Sequence, residues 1–255
     1  LNLFWKRNIK INFLTLKKNF LEDGFITINN VFNKNLVHEL TDEINNCDDA
    51  LKYFDNKNIL RRVEKIYDKG KQLKILNDKI LILLKNIFNE EFLIFKDKFN
   101  AKPPSGEGFF AHYDGVFHFL DENNNKRNGW YEYGDYFINV LIALDECNLK
   151  NGALEIAKAH KGNFNELLKN TKNNGTPAIT KEIESNTSFD LICLNAGDIV
   201  IFSNTCPHRS KQNTTNKDRR VLYYTYSLKK NGDKYQEYFE NKKQSTNSSK
   251  ALADK

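Results

Sequence analysis

The chain has no methionine and only four cysteines and four prolines among its 255 residues, and several classes of protein are closed off by what is scarce. Nowhere do about eighteen apolar residues run together, so no segment can cross a bilayer as a helix. Cys47, Cys147, Cys193 and Cys206 lack the paired spacing of a zinc site. They fit free thiols of a reducing, cytoplasmic compartment, used as small apolar core residues, better than a disulfide framework. No acidic residue precedes Glu22, whereas Lys6, Arg7, Lys10, Lys17 and Lys18 do. That bias suits either the remnant of a targeting segment or a basic amphipathic start to a folded domain. Without even an initiator methionine, the sequence reads as a processed or edited chain.

What is present is an ordinary globular composition, 40% hydrophobic and 28% charged. The net charge is +6, but lysine and arginine are spread along the chain rather than gathered in one run, which argues against nucleic-acid binding. A chain of this length can bury a sizeable core as one domain. Residues 1–18 read as an N-terminal extension, 19–90 as mostly helical support, 91–228 as a β core and 229–255 as a polar C-terminal tail.

Within 19–33 the expectation is a short turn, Gly24 and a strand, Phe25–Ile28. Asn33 can cap a helix over 34–46, with Leu36, Val37, Leu40 and Ile44 at helical spacing. A second amphipathic helix runs from Gln72 to Phe88. From Glu91 the rhythm changes to short strands at 91–102, 108–113, 136–145, 153–157, 189–194, 198–203 and 220–228. Asn151-Gly152 between two of them is a tight-turn signal. Many strands preceded by helices predict a mainly β sandwich or jelly-roll core with N-terminal helices packed on it.

The segment Phe109–Val116 reads FFAHYDGV. On an extended strand, His112 and Asp114 project to one face and Tyr113 to the other. An imidazole and a carboxylate offered together are two of the three ligands of a facial triad; a polar strand face or a His–Asp hydrogen bond would use the same pattern. A third ligand must come from another strand. His208, just after the strand-like DIVIFSN, is the natural candidate, whereas His38 lies on the first predicted helix, His160 in a loop and His118 just beyond Asp114. His208 is followed two positions on by Ser210 and eleven on by Arg219.

This order of motifs resembles the phytanoyl-CoA dioxygenase family of iron(II)/2-oxoglutarate oxygenases. The similarity extends from LEDGFITINNVF through FKDKFNAKPPSGEGFFAHYD and INVLIALDECNLKNGALEIAKAHKG to AGDIVIFSNTCPHRS and RRVLYYTY. The resemblance implies a double-stranded β-helix (jelly-roll) core with His112, Asp114 and His208 as iron ligands. It implies that 2-oxoglutarate is the co-substrate and O2 the oxidant. Arg219 would pair with the distal carboxylate of 2-oxoglutarate and Ser210 assist it, a task suited to a planar guanidinium; Arg220 competes but should point the other way. Asn100 matches a position that helps hold the co-substrate in related ectoine hydroxylases. Asp114 favours hydroxylation, desaturation or cyclisation, because related halogenases replace that carboxylate.

Within the family, IFKDKFNAKPPSGEGFFAHYD and GDKYQEYFENKK are most similar to the 2-aminoethylphosphonate hydroxylase type. The link 117–135 is longer than in that branch, and the ending STNSSKALADK lacks its proline. Lys96, Lys98, Asn100 and Lys102 alternate onto one strand face, and Lys98 and Asn100 are assigned to an anion-binding cavity. His118, Trp130 and Tyr133, on a link that is either a lid or a solvated loop, join Lys98 and Asn139 as candidate substrate residues. The expected substrate is a small anionic or zwitterionic metabolite such as an aminophosphonate. Hydroxylation or cyclisation of an amino-acid-derived precursor, and a non-catalytic 2-oxoglutarate-binding module, are the alternatives.

Overall fold

The computed structural model describes residues 12–121 and 123–244; expectations placed on 1–11 and 245–255 lie outside the described residues. The elements, in chain order, are α1 (Phe13–Asp23), β1 (Phe25–Ile28), α2 (Lys34–Asn45), β2 (Leu51–Phe54), β3 (Leu60–Glu64), α3 (Lys71–Phe88), β4 (Phe92–Lys102) and β5 (Phe109–His112). They continue with β6 (Phe119–Leu120), β7 (Lys126–Arg127), β8 (Phe137–Ala143), β9 (Leu154–Ile156), α4 (Phe164–Lys169), α5 (Lys181–Ser185) and β10 (Asp190–Ile192). The last are β11 (Ile199–Ser203), β12 (His208–Ser210), β13 (Arg219–Leu228) and α6 (Tyr235–Gln244).

Antiparallel strands in the order β1-β11-β8-β13-β4-β3-β2 form the larger sheet, and β10-β9-β12-β5 the smaller. Alternation along the strands of the larger sheet sends apolar side chains to both of its faces. Ile138, Val140 and Ile142 of β8, with Ile199 and Ile201 of β11 and Leu222, Tyr224 and Tyr226 of β13, pack against α1, α2 and α3. The intervening Leu141, Ala143, Val200, Phe202 and Val221 turn to the other face, where Leu154 and Ile156 of β9 meet them. The jelly-roll core backed by N-terminal helices is therefore as the sequence predicts.

Helix α2 starts where Asn33 accepts the Leu36 backbone N–H at 2.8 Å, and it buries Leu36, Val37, Leu40 and Ile44. Helix α3 buries Leu73, Leu76, Ile80, Leu83, Leu84 and Ile87 in one stripe. Truncating a fully buried leucine there, such as Leu76, costs about 2–5 kcal/mol. One irregularity matters for the site. Thr225 faces Lys96 and Tyr226 faces Ile94, so Phe95 is an extra residue on β4. The bulge lets Ile94 and Asp97 face the helices while Phe95 and Lys96 both turn inward.

Four sequence expectations need correction. Residues 13–18 belong to α1 rather than to an extension, and α1 continues where only a turn before Gly24 was expected. Residues 19–90, expected to be mostly helical with one strand at Phe25–Ile28, also hold β2 and β3, which extend the larger sheet, a short hairpin whose weakly alternating residues carry no strong apolar period. Asn151-Gly152 ends a short 3-10 turn, Leu149–Asn151, capped by Asn148; it joins strands of different sheets, so it is no hairpin. Residues 235–244 of the expected tail form α6, whose Tyr235 and Phe239 are buried. Among the described residues no helix is long and apolar enough to cross a membrane.

Candidate active site

His112 closes β5 and His208 opens β12, and the two are direct cross-strand partners in the smaller sheet. Their rings lie 4.1 Å apart between centroids. Asp114 follows two residues after His112, with its Oδ2 3.7 Å from His208 Nε2. Ligand atoms of all three lie within 4.8 Å of one another. Tyr113 points the other way, fully buried, with its hydroxyl 2.5 Å from His160 Nδ1.

Neighbouring carbonyls fix the imidazoles. His112 Nδ1 is 2.8 Å from Phe110 O and His208 Nδ1 3.0 Å from Cys206 O. A carbonyl can only accept, so both Nδ1 atoms carry the proton and both Nε2 lone pairs are left for a metal. Burial, and then the neighbouring His208, push His112 down to about 3; burial also lowers His208. Burial alone would raise Asp114, but His208, Lys98 and His112 outweigh it and hold the carboxyl below its ordinary range. Two neutral imidazoles and one carboxylate are the donor set and protonation state that a divalent iron site with open positions requires.

Asn139 does not line the cavity as a substrate residue would. Its Nδ2 donates to Asp114 Oδ2 at 2.9 Å, and its Oδ1 accepts from Thr225 Oγ1 at 2.7 Å. It lies behind Asp114 and fixes the carboxylate's orientation. Asn204 ties the same turn: its backbone O accepts from Asp114 N at 3.0 Å and its Nδ2 donates to Asp114 O at 3.2 Å.

The triad lies on the wall of a cavity of about 510 Å³. Three of the six buried side-chain polar atoms that lack a hydrogen-bond partner among the described residues belong to its walls: Arg219 Nε, Asn100 Oδ1 and Glu64 Oε1. Buried polar groups are ordinarily paired, so the cavity is built for a polar ligand. At one end Arg219, on β13, donates from Nη2 to Gly152 O at 3.2 Å. Ser210 is beside it, its Oγ accepting from Lys102 Nζ at 2.8 Å. That leaves the hydroxyl proton of Ser210 available to an anion. Burial, then Arg219, push Lys102 down to about 7. Arg220, one residue on, faces away and grips Asp145 through two 2.8 Å bonds, as alternation predicts.

At the other end the larger sheet presents rows of polar side chains. Glu64, Lys98, Tyr223 and Leu141 are successive cross-strand neighbours, as are Arg62, Asn100, Val221 and Ala143. Lys98 Nζ lies 4.7 Å from the Tyr223 ring centroid; burial pushes its pKa down to about 7 against the pull of Asp114. Lys96 Nζ is 3.2 Å from Tyr238 Oη and 4.8 Å above the Trp130 ring. Helix α6 supplies Tyr238, Asn241 and Lys242 to the wall.

The structure thus brings together the triad, Arg219, Ser210, Asn100, Lys98, Trp130 and Tyr133 around one cavity. His118 is not among them: Phe117 and Phe119 face the cavity, and His118 between them turns outward to Phe164 and the Arg127 carbonyl. Of the link 117–135, the inward part is the aromatic turn containing Trp130 and Tyr133. Sequence reasoning missed Arg62, Glu64, Tyr238 and Lys242. The alternation in Leu60–Glu64 was a faint signal for the first two, and the last two lie in GDKYQEYFENKK, which was noticed for its resemblance but not as a source of cavity residues.

The chain is 26% identical to the 2-aminoethylphosphonate dioxygenase of Uncultured bacterium HF130_AEPn_1, over 89% of this chain and 86% of that protein. It is 29% identical to the methylphosphonate hydroxylase of Gimesia maris, over 62% of this chain and 54% of that protein. The fold is similar to that of EctD from S. alaskensis crystallised with bound Fe, with a TM-score of 0.68, 18% identity, and coverage of 89% of this chain and 80% of that one. The same protein with 2-oxoglutarate and 5-hydroxyectoine gives a TM-score of 0.67 at 16% identity, covering 89% and 79%. Residues 20–221 match the family described as Phytanoyl-CoA dioxygenase (PhyH), and the chain belongs to that family.

Proposed function

We propose that the protein is an iron(II)- and 2-oxoglutarate-dependent dioxygenase that oxidises an unactivated C–H bond of a small anionic or zwitterionic metabolite, an organophosphonate by class. The observation that carries this is the convergence of His112, Asp114 and His208 on the cavity that Arg219 also lines with a buried Nε unpaired among the described residues. His112 and His208 would hold iron through Nε2 and Asp114 through its carboxylate. Iron bound there, with 2-oxoglutarate and O2, supplies the oxidising power that couples loss of CO2 from the co-substrate to oxidation of the C–H bond.

The protein's own part is positioning. Arg219 and Ser210 receive the distal carboxylate of 2-oxoglutarate, and Asn100 contributes along the same wall. Asn139 keeps the Asp114 carboxylate in one rotamer. Trp130, packed edge-on against Phe95 and Phe137, and Tyr133, which accepts from Asn241 at 2.9 Å, exclude water from one side.

Support for the substrate class is electrostatic. Arg62, Lys96, Lys98 and Lys242 outnumber Glu64 and Asp114 on the cavity wall, and such an excess of cations favours an anion. The relatives named for acting on phosphonates point the same way. Iron-dependent succinate formation, measured with phosphonates, amino acids and acyl-CoAs in turn, tests the reading. Stimulation by a phosphonate is expected; stimulation by acyl-CoA alone would exclude the small-anion class.

A further inference from the structure

We infer that Glu64 is the specificity-determining residue that receives a primary ammonium group of the substrate, so that the cavity selects a compound carrying both an anion and an –NH3+. The inference rests on the reading of this cavity as the substrate site. Glu64 is fully buried and lines the cavity. Its Oε2 is engaged by Lys242 and by the Tyr53 hydroxyl at 3.2 Å. Among the described residues its Oε1 has no hydrogen-bond partner and only an ion-pair contact with Arg62 Nη1 at 3.7 Å. A buried carboxylate oxygen without a donor is costly, and an incoming N–H is the group that removes the cost.

The neighbourhood narrows the donor further. A quaternary ammonium would seek aromatic faces, but those of Trp130 and Tyr238 already carry Lys96 Nζ, at 4.8 and 5.2 Å from their centroids. Beside Glu64 itself, the feature left to a cation is the carboxylate oxygen, an acceptor that favours a group with a proton to donate. Lys98 is the direct cross-strand neighbour of Glu64, so the anionic half of a short zwitterion can be held one strand away from the ammonium. The Glu64 position is fixed by its surroundings. Asp97 accepts the backbone N–H groups of Lys65, Ile66 and Tyr67 at 2.7, 2.9 and 2.5 Å and the Tyr235 hydroxyl at 3.1 Å, anchoring the turn after Glu64 and the start of α6 to one carboxylate.

The test uses pairs of compounds that differ only in the nitrogen: 2-aminoethylphosphonate against ethylphosphonate and against its N-trimethylated form, and β-alanine against propionate. Calorimetric affinity and kcat/KM for succinate formation are read on the wild-type protein loaded with Fe(II) and 2-oxoglutarate, then on Glu64→Gln. The wild type should favour the primary amine by at least about tenfold, as expected for a hydrogen bond to a buried charge. Glu64→Gln should shrink that preference to within about threefold, mainly by weakening the amine. If phosphonates are inert but β-alanine beats propionate in a Glu64-dependent way, the phosphonate reading falls and the Glu64 assignment stands. If no amine outperforms its partner, or Glu64→Gln depresses both members of every pair alike, the assignment is overturned, even where a phosphonate still drives turnover. The wild-type comparison needs no variant, so a misfolded mutant cannot decide the matter.

Discussion

At the Arg219 end of the cavity the polar groups come from strands of the two sheets and the short loops joining them, whereas the Glu64 end is assembled from β3, β4 and the C-terminal helix α6. The first end carries cations whose partners are neutral: Arg219 and Lys102 both donate to the Gly152 carbonyl, at 3.2 and 3.4 Å. In the second, cations and carboxylates interlock, with Lys242 and Arg62 both on Glu64. An end made of unneutralised, strand-borne cations suits one fixed dianionic ligand. An end where several cations surround one carboxylate, drawn from distant segments, can be retuned, because changing one group there alters what is recognised while the candidate triad stays in place.

That contrast can be broken most severely at the triad itself. Replacing His208 or Asp114 by alanine should remove more than about 100-fold of the 2-oxoglutarate turnover, beyond what loss of a supporting hydrogen bond to a ligand typically costs; iron titration followed by succinate assay measures it. At the co-substrate end, Arg219→Lys keeps the charge but loses the planar fork. The kcat/KM for 2-oxoglutarate should drop about 10- to 100-fold while substrate preference is unchanged. A shift in substrate preference instead would mean that the two ends are not separable.

Asn139→Ala probes the link between the ends. It strips Asp114 Oδ2 of a 2.9 Å donor and leaves the Thr225 hydroxyl without its acceptor. Iron affinity should weaken by about tenfold, with kcat/KM partly restored by excess iron. His118→Ala should do least. Its ring lies outside the cavity against Phe164, so kcat/KM should stay within about twofold, as for an ordinary surface change. A larger loss would return the His118 side of the 117–135 link to the substrate site.

The Arg219 end was legible because its residues lie close together in sequence, in an order that resembles the family's. His112 and Asp114 are separated by two positions, and Ser210 and Arg219 follow His208 at fixed short intervals, so one strand-turn-strand segment carries most of it. The Glu64 end was not legible. Leu60–Glu64 is too short to announce itself as a strand, and Arg62 and Glu64 acquire meaning only when β3 aligns with Lys98 and Asn100 of β4. Lys242 lies in GDKYQEYFENKK, a segment whose resemblance to one branch of the family was seen but whose weak apolar periodicity gave no helix to place it. Asn139 was noticed but given the wrong part, since alternation puts it on the inner face without revealing that Asp114 stands in front of it.

Sequence alone therefore indicated the helices over α2 and α3 and the run of β strands, and offered the triad and Arg219 as candidates, which the fold gathers on one cavity. The helices and strands are written in periodicity along single elements, whereas the triad joins His208 to the distant His112 and Asp114 and was read from the order of motifs that resembles the family's. Only the tertiary structure decided which cations share a cavity, which way His118 faces and where Glu64 stands. Those are set by register between strands and by the packing of α6, which bring together residues as far apart in the chain as Glu64 and Lys242.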